Sequence, residues 1–308
     1  MRADPVAVSA LAAFLEATVR IATPLGLAAV GETVTERSGV INIGIEGAML
    51  CGALASALAA VATSSTIAGF GAGIAAGVAV AAVFAYFAIR LRADQIVVGT
   101  AITLGATGLT GAVYRAAFGA AGAALTVPTV TPSNALGLGN IPVIGPMIFH
   151  QTPPTWILFI VAPLAWYVLA RTQAGLALRA SGEAPLAARA AGLRVNRIRF
   201  LATLFGGAMA GLAGGTLVLA QAGTFAERMT AGRGFIAIAI VVLGRWNPLG
   251  ALAAALVFGA ASALQYAFQA LGLDVPYQFF LMAPYVATLL ALAGAFGRAR
   301  APEALGRP

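Results

Sequence analysis

Lysine is absent from this 308-residue chain, and cysteine and histidine occur once each, as Cys51 and His150. Without lysine there is no glycine-rich phosphate loop ending in Gly-Lys-Ser/Thr, so nucleotide binding by that route is excluded. One cysteine in an apolar run excludes a disulfide framework, and one histidine, between prolines, brings no partners for metal ligation. No catalytic residue, metal site or cofactor is expected, and the chain is not read as an enzyme. Charge is scarce as well. Only 9% of the residues are charged, against about a quarter in soluble domains, too few to cover a water-facing surface.

What is abundant is apolar sequence. Hydrophobic residues make up 60% of the chain, in runs near the roughly twenty residues that cross a bilayer as a helix. A helix satisfies its own backbone hydrogen bonds in lipid, and the alternation of barrel strands is missing. The chain therefore reads as an all-α polytopic membrane protein with roughly nine transmembrane or re-entrant helices. The runs lie near Val6–Val30, Glu46–Ala62, Thr66–Ile89, Ile96–Tyr114, Trp156–Ala170, Phe200–Ala220, Phe235–Gly244, Leu249–Ala270 and Pro276–Phe296. Phe235–Gly244 is too short to cross alone. The first run is interrupted by Glu16, Arg20 and Pro24. Its two charges are four apart and able to pair, and the run is expected to be retained as a helix rather than cleaved as a signal peptide. Ala116–Thr155 carries no charged residue but many Gly, Pro, Thr and Asn, which predicts an irregular segment on the non-cytoplasmic side.

The net charge of +8 comes from eighteen arginines gathered in short loops between apolar runs. They form no water-exposed basic face, so nucleic acid is not an expected partner. Arg171, Arg179, Arg189, Arg194, Arg197 and Arg199 place the 171–199 loop in the cytoplasm, because short cytoplasmic loops carry the positive excess. Counting crossings back from it puts 90–94 and 31–45 on the same side. The 37 glycines and many alanines predict close helix–helix approach.

Two interrupted segments suggest an internal duplication, a possible inverted repeat. Ser38–Gly47 and Gly232–Ala239 are Gly-flanked, rich in β-branched residues, and each precedes a long apolar span. Paired broken helices point to a substrate path near the midplane. The loop Gly31–Gly39 runs into Asn42 and Glu46 and concentrates carboxylates unusually for so apolar a chain. Two readings stay open for it. It is a solvated loop, with Glu46 suited to the start of the next helix, or Asn42 and Glu46 reach a translocation path. Phe235 is a further path candidate, as an aromatic face for stacking, with ordinary packing as the alternative. In the basic loop, Ser181 or Gly182 can cap a two-turn helix, with Glu183 and Pro185 in its first turn and Gly192 at its end. Such a helix lies at the membrane interface or docks into a partner's groove.

Three stretches together resemble one family: Glu36–Leu50, Arg179–Gly192, and Met229–Ala237 with Gly244-Arg245-Trp246-Asn247-Pro248-Leu249-Gly250. It is the permease superfamily of ATP-driven (ABC) importers for branched-chain amino acids and simple sugars, in its nucleoside and simple-sugar branch. The resemblance covers nearly the whole chain, making 1–308 a single transmembrane permease domain in the cell (cytoplasmic) membrane. It implies a second related permease, two cytoplasmic ABC ATPase subunits, an extracytoplasmic substrate-binding protein or lipoprotein, and a small polar solute. The 171–199 loop then resembles the carrier of a coupling helix that sits on an ATPase. Arg179, Gly182, Glu183, Ala187, Ala188, Arg189 and Gly192 would make that contact. A nucleoside ranks first as solute, a simple sugar second and a branched-chain amino acid third. The competing class is a secondary transporter working without ATPases. It would need an ion-coupling acid inside a span, for which Glu16 and Glu46 are the candidates. A purely structural membrane subunit would leave the polar Asn42–Glu46 region without a use.

Overall fold

The computed structural model describes residues 5–118, 126–134, 139, 141, 145–270, 282 and 300–307. Ten α-helices follow one another among them: α1 (Pro5–Arg37), α2 (Ile45–Thr63), α3 (Thr66–Ala85), α4 (Gln95–Phe118), α5 (Pro153–Arg171), α6 (Gln173–Glu183), α7 (Pro185–Ala190), α8 (Val195–Thr216), α9 (Arg233–Leu243) and α10 (Pro248–Ala270). α3 and α8 each run on into a short π-helix, Tyr86–Arg90 and Leu217–Ala222. Six of these helical stretches are long and apolar enough to span a membrane. The all-α polytopic expectation holds, while the run at Pro276–Phe296 lies outside the described residues. The uncharged 116–155 stretch is irregular where it is described. It holds a two-residue antiparallel pair, β1 (Ser133–Asn134) with β2 (His150–Gln151), beside a π-turn at Gly145–Phe149.

The first segment departs most from expectation. Pro24 does not interrupt it, and α1 continues through Glu32 and Glu36 to Arg37, residues expected in a loop. Proline at position 24 removes the donor that would reach the carbonyl of Arg20. That carbonyl instead accepts from Gln221 Nε2 at 2.6 Å, so a neighbouring element repairs the ladder and the helix survives. Glu16 and Arg20 do not pair; Glu16 lies 3.5 Å from His150 Nδ1 instead. The single histidine, read as incidental, thus ties the 145–151 turn to α1.

α1, α2 and α8 form the inside of the bundle, with 78% of the α8 span buried against 22% of the α4 span. Small residues make this possible. A Cβ added at Gly52 of α2 would lie 2.6 Å from Gly211 Cα of α8, and one at Gly77 of α3 would lie 2.7 Å from the same atom. Three backbones therefore meet at Gly211 with no side chain between them. Burial of apolar surface gives no drive in lipid, and close backbone packing supplies it. α9 is different in kind. Its eleven residues span about 16 Å, roughly half a bilayer. The turn that follows it, at Trp246, sits beside Arg37 at the C-terminal end of α1.

Candidate functional site

Two stretches of backbone leave helical geometry inside the bundle, and each hands its free N–H groups to a side chain from elsewhere. Between α1 and α2, the Ile41 amide donates to Gln95 Oε1 at 2.8 Å and the Asn42 amide to Glu32 Oε1 at 2.8 Å. Non-helical backbone is tolerated at this depth only when it is covered and satisfied by protein. Glu32 and Gln95 are both buried and do this for residues 41 and 42.

The second stretch, 223–232, ends where α9 begins, and Glu46 serves it. One carboxylate oxygen of Glu46 accepts from Thr230 Oγ1 at 2.7 Å and from the Gly232 amide at 2.8 Å. The other accepts from the Gly234 amide at 2.6 Å. A helix N-terminus presents unpaired N–H groups and a partial positive charge, and α9 lacks a side-chain cap of its own. Glu46 supplies the cap from the first turn of α2, across 186 residues of sequence. Gly234 must be glycine here, since an added Cβ would lie 2.6 Å from Glu46 Cα. The two broken pieces singled out by their sequence are thus brought into direct contact.

Below them, Glu36 Oε2 accepts from Trp246 Nε1 at 2.6 Å, and Arg37 Nε donates to the Trp246 carbonyl at 2.6 Å. These bonds fasten the end of α1 to the turn between α9 and α10. Three buried oxygens nearby have no hydrogen-bond partner among the described residues: Glu32 Oε2, Glu36 Oε1 and Asn42 Oδ1.

The basic loop is built as two helices rather than one. Ser181 and Gly182 lie inside α6, and Ser181 Oγ donates back to the Ala177 carbonyl instead of capping. The chain breaks at Ala184, Pro185 opens α7, and Gly192 at φ +85° leads away from it. Proline at the first helical position suits a start without a cap. Glu183, Ala187, Arg189 and Gly192 are exposed, while Gly182 and Ala188 are buried and Arg179 is half-buried. Gly182 is packed against the backbone of Arg37 and Gly39. The most exposed large hydrophobic side chain of the loop is Leu186 at 78%.

α6 is joined to the broken segment through one buried arginine. Arg199, only 3% exposed, donates to the Ser38 carbonyl at 3.2 Å, to the Arg307 carbonyl at 3.2 Å and to the Ser181 carbonyl at 3.5 Å. The segment 300–307 closes the same junction. The Ala304 amide donates to the Gly182 carbonyl at 2.9 Å, and the Gly306 amide to the Gly39 carbonyl at 3.2 Å. Replacing Arg199 with methionine strands three carbonyls and is expected to cost about 2–4 kcal/mol. Limited proteolysis in detergent checks this. Cleavage should appear between 300 and 307 in the variant, and equal resistance to wild type would refute the assigned role.

Glu32, Gln95, Thr230, Trp246, Arg199 and Leu186 were not singled out as site residues from the sequence. Trp246 lies in a stretch that carried the family resemblance. Arg199 is one of six arginines between 171 and 199, and nothing local distinguishes the buried one.

Comparison with known proteins adds an independent line. The family model described as branched-chain amino acid transport system / permease component matches residues 14–294. The guanosine ABC transporter permease protein NupQ of Bacillus subtilis is 39% identical over 98% of this chain and 97% of its own length. The nucleoside ABC transporter permease protein NupC of Lactococcus lactis is 36% identical, with 92% of each chain covered. A putative glucose ABC transporter permease, TsgC13 of Haloferax volcanii, is 39% identical over 85% of this chain and 79% of its own. No solved structure matches.

Proposed function

Since the chain belongs to the branched-chain amino acid transport system permease family, we propose that it is the membrane-spanning subunit of an ATP-driven importer for nucleosides, with simple sugars as the second choice. It is a multi-pass protein of the cell membrane, in a family of permease subunits that work with ATPases and substrate-binding proteins. The observation that carries the solute assignment is the similarity to guanosine and nucleoside permeases over more than nine-tenths of the chain. The site agrees in chemistry. Nucleosides and sugars are rich in O–H and N–H donors, and Glu32 Oε2, Glu36 Oε1 and Asn42 Oδ1 have no donor among the described residues. Glu46 is engaged on both oxygens and holds the two broken segments together. Asn42 and Phe235, the latter 46% exposed on the first turn of α9, remain the residues assigned to the path.

ATP binding would close two cytoplasmic ATPases on α6 and α7 and move them. Through Gly182, Arg199 and the 300–307 segment that motion reaches Ser38 and Gly39, which lead to Asn42. The drive is the difference in affinity of nucleotide for the two states of the assembly. A second, related permease would complete the pathway, and a binding protein or lipoprotein would deliver solute on the far side.

Leu186 at the tip of α7 is the anchor expected to enter the ATPase surface, because an exposed apolar side chain at a protein contact carries more energy than its charged rim. Leu186→Asp should leave insertion and thermal stability unchanged while lowering ATPase co-purification at least tenfold. Retention of the ATPase by this variant would remove α7 from the interface. The overall reading is tested by extracting the native complex in mild detergent and measuring uptake in parallel. An ATPase and a second permease should co-purify, and guanosine uptake should require ATP. Uptake that persists after ATP depletion, from a homo-oligomer without ATPase, would favour a secondary transporter.

A further inference from the structure

A cavity of about 340 Å³ opens between the π-helical end of α3 and the start of α8. Its apolar lining is Tyr86, Ile89, Phe200 and Leu201, and its polar lining is Arg90, Asn196 and Arg197. Tyr86 is 53% exposed and Leu201 65% exposed, so the slot opens sideways, along the outside of the bundle. Arg90 closes the membrane span Thr66–Arg90, and Arg197 lies in the first turn of the span Val195–Ala222. Both guanidinium groups therefore stand at the level of the cytoplasmic headgroups.

Neither arginine has a carboxylate within ion-pair distance among the described residues, whose ion pairs are Arg37–Glu183, Arg115–Glu227 and His150–Glu16. The start of α8 adds to the same sign. Its Val195, Arg197 and Ile198 amides are taken by the Leu193 and Arg194 carbonyls, and the positive end of its dipole still points toward this level. The π-helix that forms the opposite wall is the kind of local widening found at functional sites. An apolar slot with two uncompensated cations in its lining cannot be explained by packing alone.

We propose that this cavity binds one anionic phospholipid of the inner leaflet, with an acyl chain between Tyr86 and Leu201 and the phosphate on Arg90 and Arg197. Charge decides the class. The cytoplasmic leaflet is negatively charged and each arginine near its surface adds attraction. Among the described residues no acidic side chain lines the cavity to receive the ammonium of a zwitterionic headgroup. The site is independent of which solute the permease carries.

The full-length chain, purified in mild detergent, tests this with phosphatidylglycerol and phosphatidylcholine as probes. Native mass spectrometry should show one retained phosphatidylglycerol, and titration should show preference for it over phosphatidylcholine. The Arg90→Gln/Arg197→Gln double variant should bind it roughly thirtyfold more weakly, in line with loss of two surface charges. Arg90→Lys/Arg197→Lys should keep most of the preference, and Arg115→Gln, on the other face, should change nothing. Equal binding of both lipids by the wild type would overturn the proposal even if the double variant failed to fold. So would a Leu201→Cys label, in a Cys51→Ser background, that crosslinks to a protein partner in intact membranes.

Discussion

Glu46→Ala is expected to abolish transport and to lower stability by about 3–5 kcal/mol, since three donors lose one carboxylate. Hydrogen bonds to charged groups contribute about 1.5–3 kcal/mol each but do not add fully when they share an acceptor. The Gly232 and Gly234 amides belong to the start of α9, where the helix dipole also loses its compensating charge. Glu46→Gln separates this account from a direct solute contact. The glutamine carbonyl can keep the bonds to Thr230 and Gly232, while its NH₂ group opposes the Gly234 amide. Stability should fall by about half as much, with the solute concentration for half-maximal uptake unchanged. Thermal unfolding in detergent and uptake by intact cells measure the two quantities. A glutamine variant of wild-type stability with weakened solute affinity would make Glu46 a binding residue instead.

Gly211→Val should prevent accumulation of folded protein. The atoms an added side chain would meet are backbone, with Gly77 Cα 3.1 Å and the Gly73 carbonyl carbon 2.9 Å from the new Cβ. A side chain can rotate away from an intruder, whereas two packed helices must separate along their length. Overpacking by single methylenes costs about 1–3 kcal/mol, and valine at a three-helix crossing exceeds that. Gly211→Ala should fold partially. Gly71, on α3 with open space where its Cβ would be, supplies the control, because Gly71→Val changes helix propensity but not packing. The height of the monodisperse peak in detergent size-exclusion chromatography reads all three. A normal peak for Gly211→Val would mean that α2, α3 and α8 do not cross as described.

Much of this architecture was readable from residue order, and most of the failures have a common cause. Apolar run length is a local property set by bilayer thickness, so α2, α3, α4, α5, α8 and α10 were placed to within a few residues. The glycine-flanked break at 38–44 was visible in local composition, whereas the 232–239 piece is almost wholly helix, in α9, and the irregular stretch precedes it at 223–232. What local pattern does not carry is who answers a break. Glu32 and Glu36 looked like a solvated loop because their partners, Asn42 and Trp246, are reached only through the fold. Pro24 looked like an interruption because Gln221 lies far along the chain. Ser181 and Gly182 looked like caps, yet the 171–192 stretch begins its helix earlier, where the Thr172 hydroxyl accepts from the Gly175 amide. For Glu36 and Pro24 the placement was decided by a partner far along the chain; Ser181 and Gly182 are the exception, since the start of their helix is set locally.

The fastening at Arg199 has a consequence for the order of synthesis. The backbone bonds that close it, from Ala304 to Gly182 and from Gly306 to Gly39, join residues far apart in the order of synthesis. At roughly 5–20 residues per second, α1 through α8 wait several seconds or more in the membrane before those partners emerge. Until then the adjoining ends of α1 and α6 are held by Arg199 and the Arg37–Glu183 pair, and any factor that recognises an unfinished permease has this open seam to read. A fusion placed after Arg307 would hang from the same seam, beside the surface assigned to the ATPase.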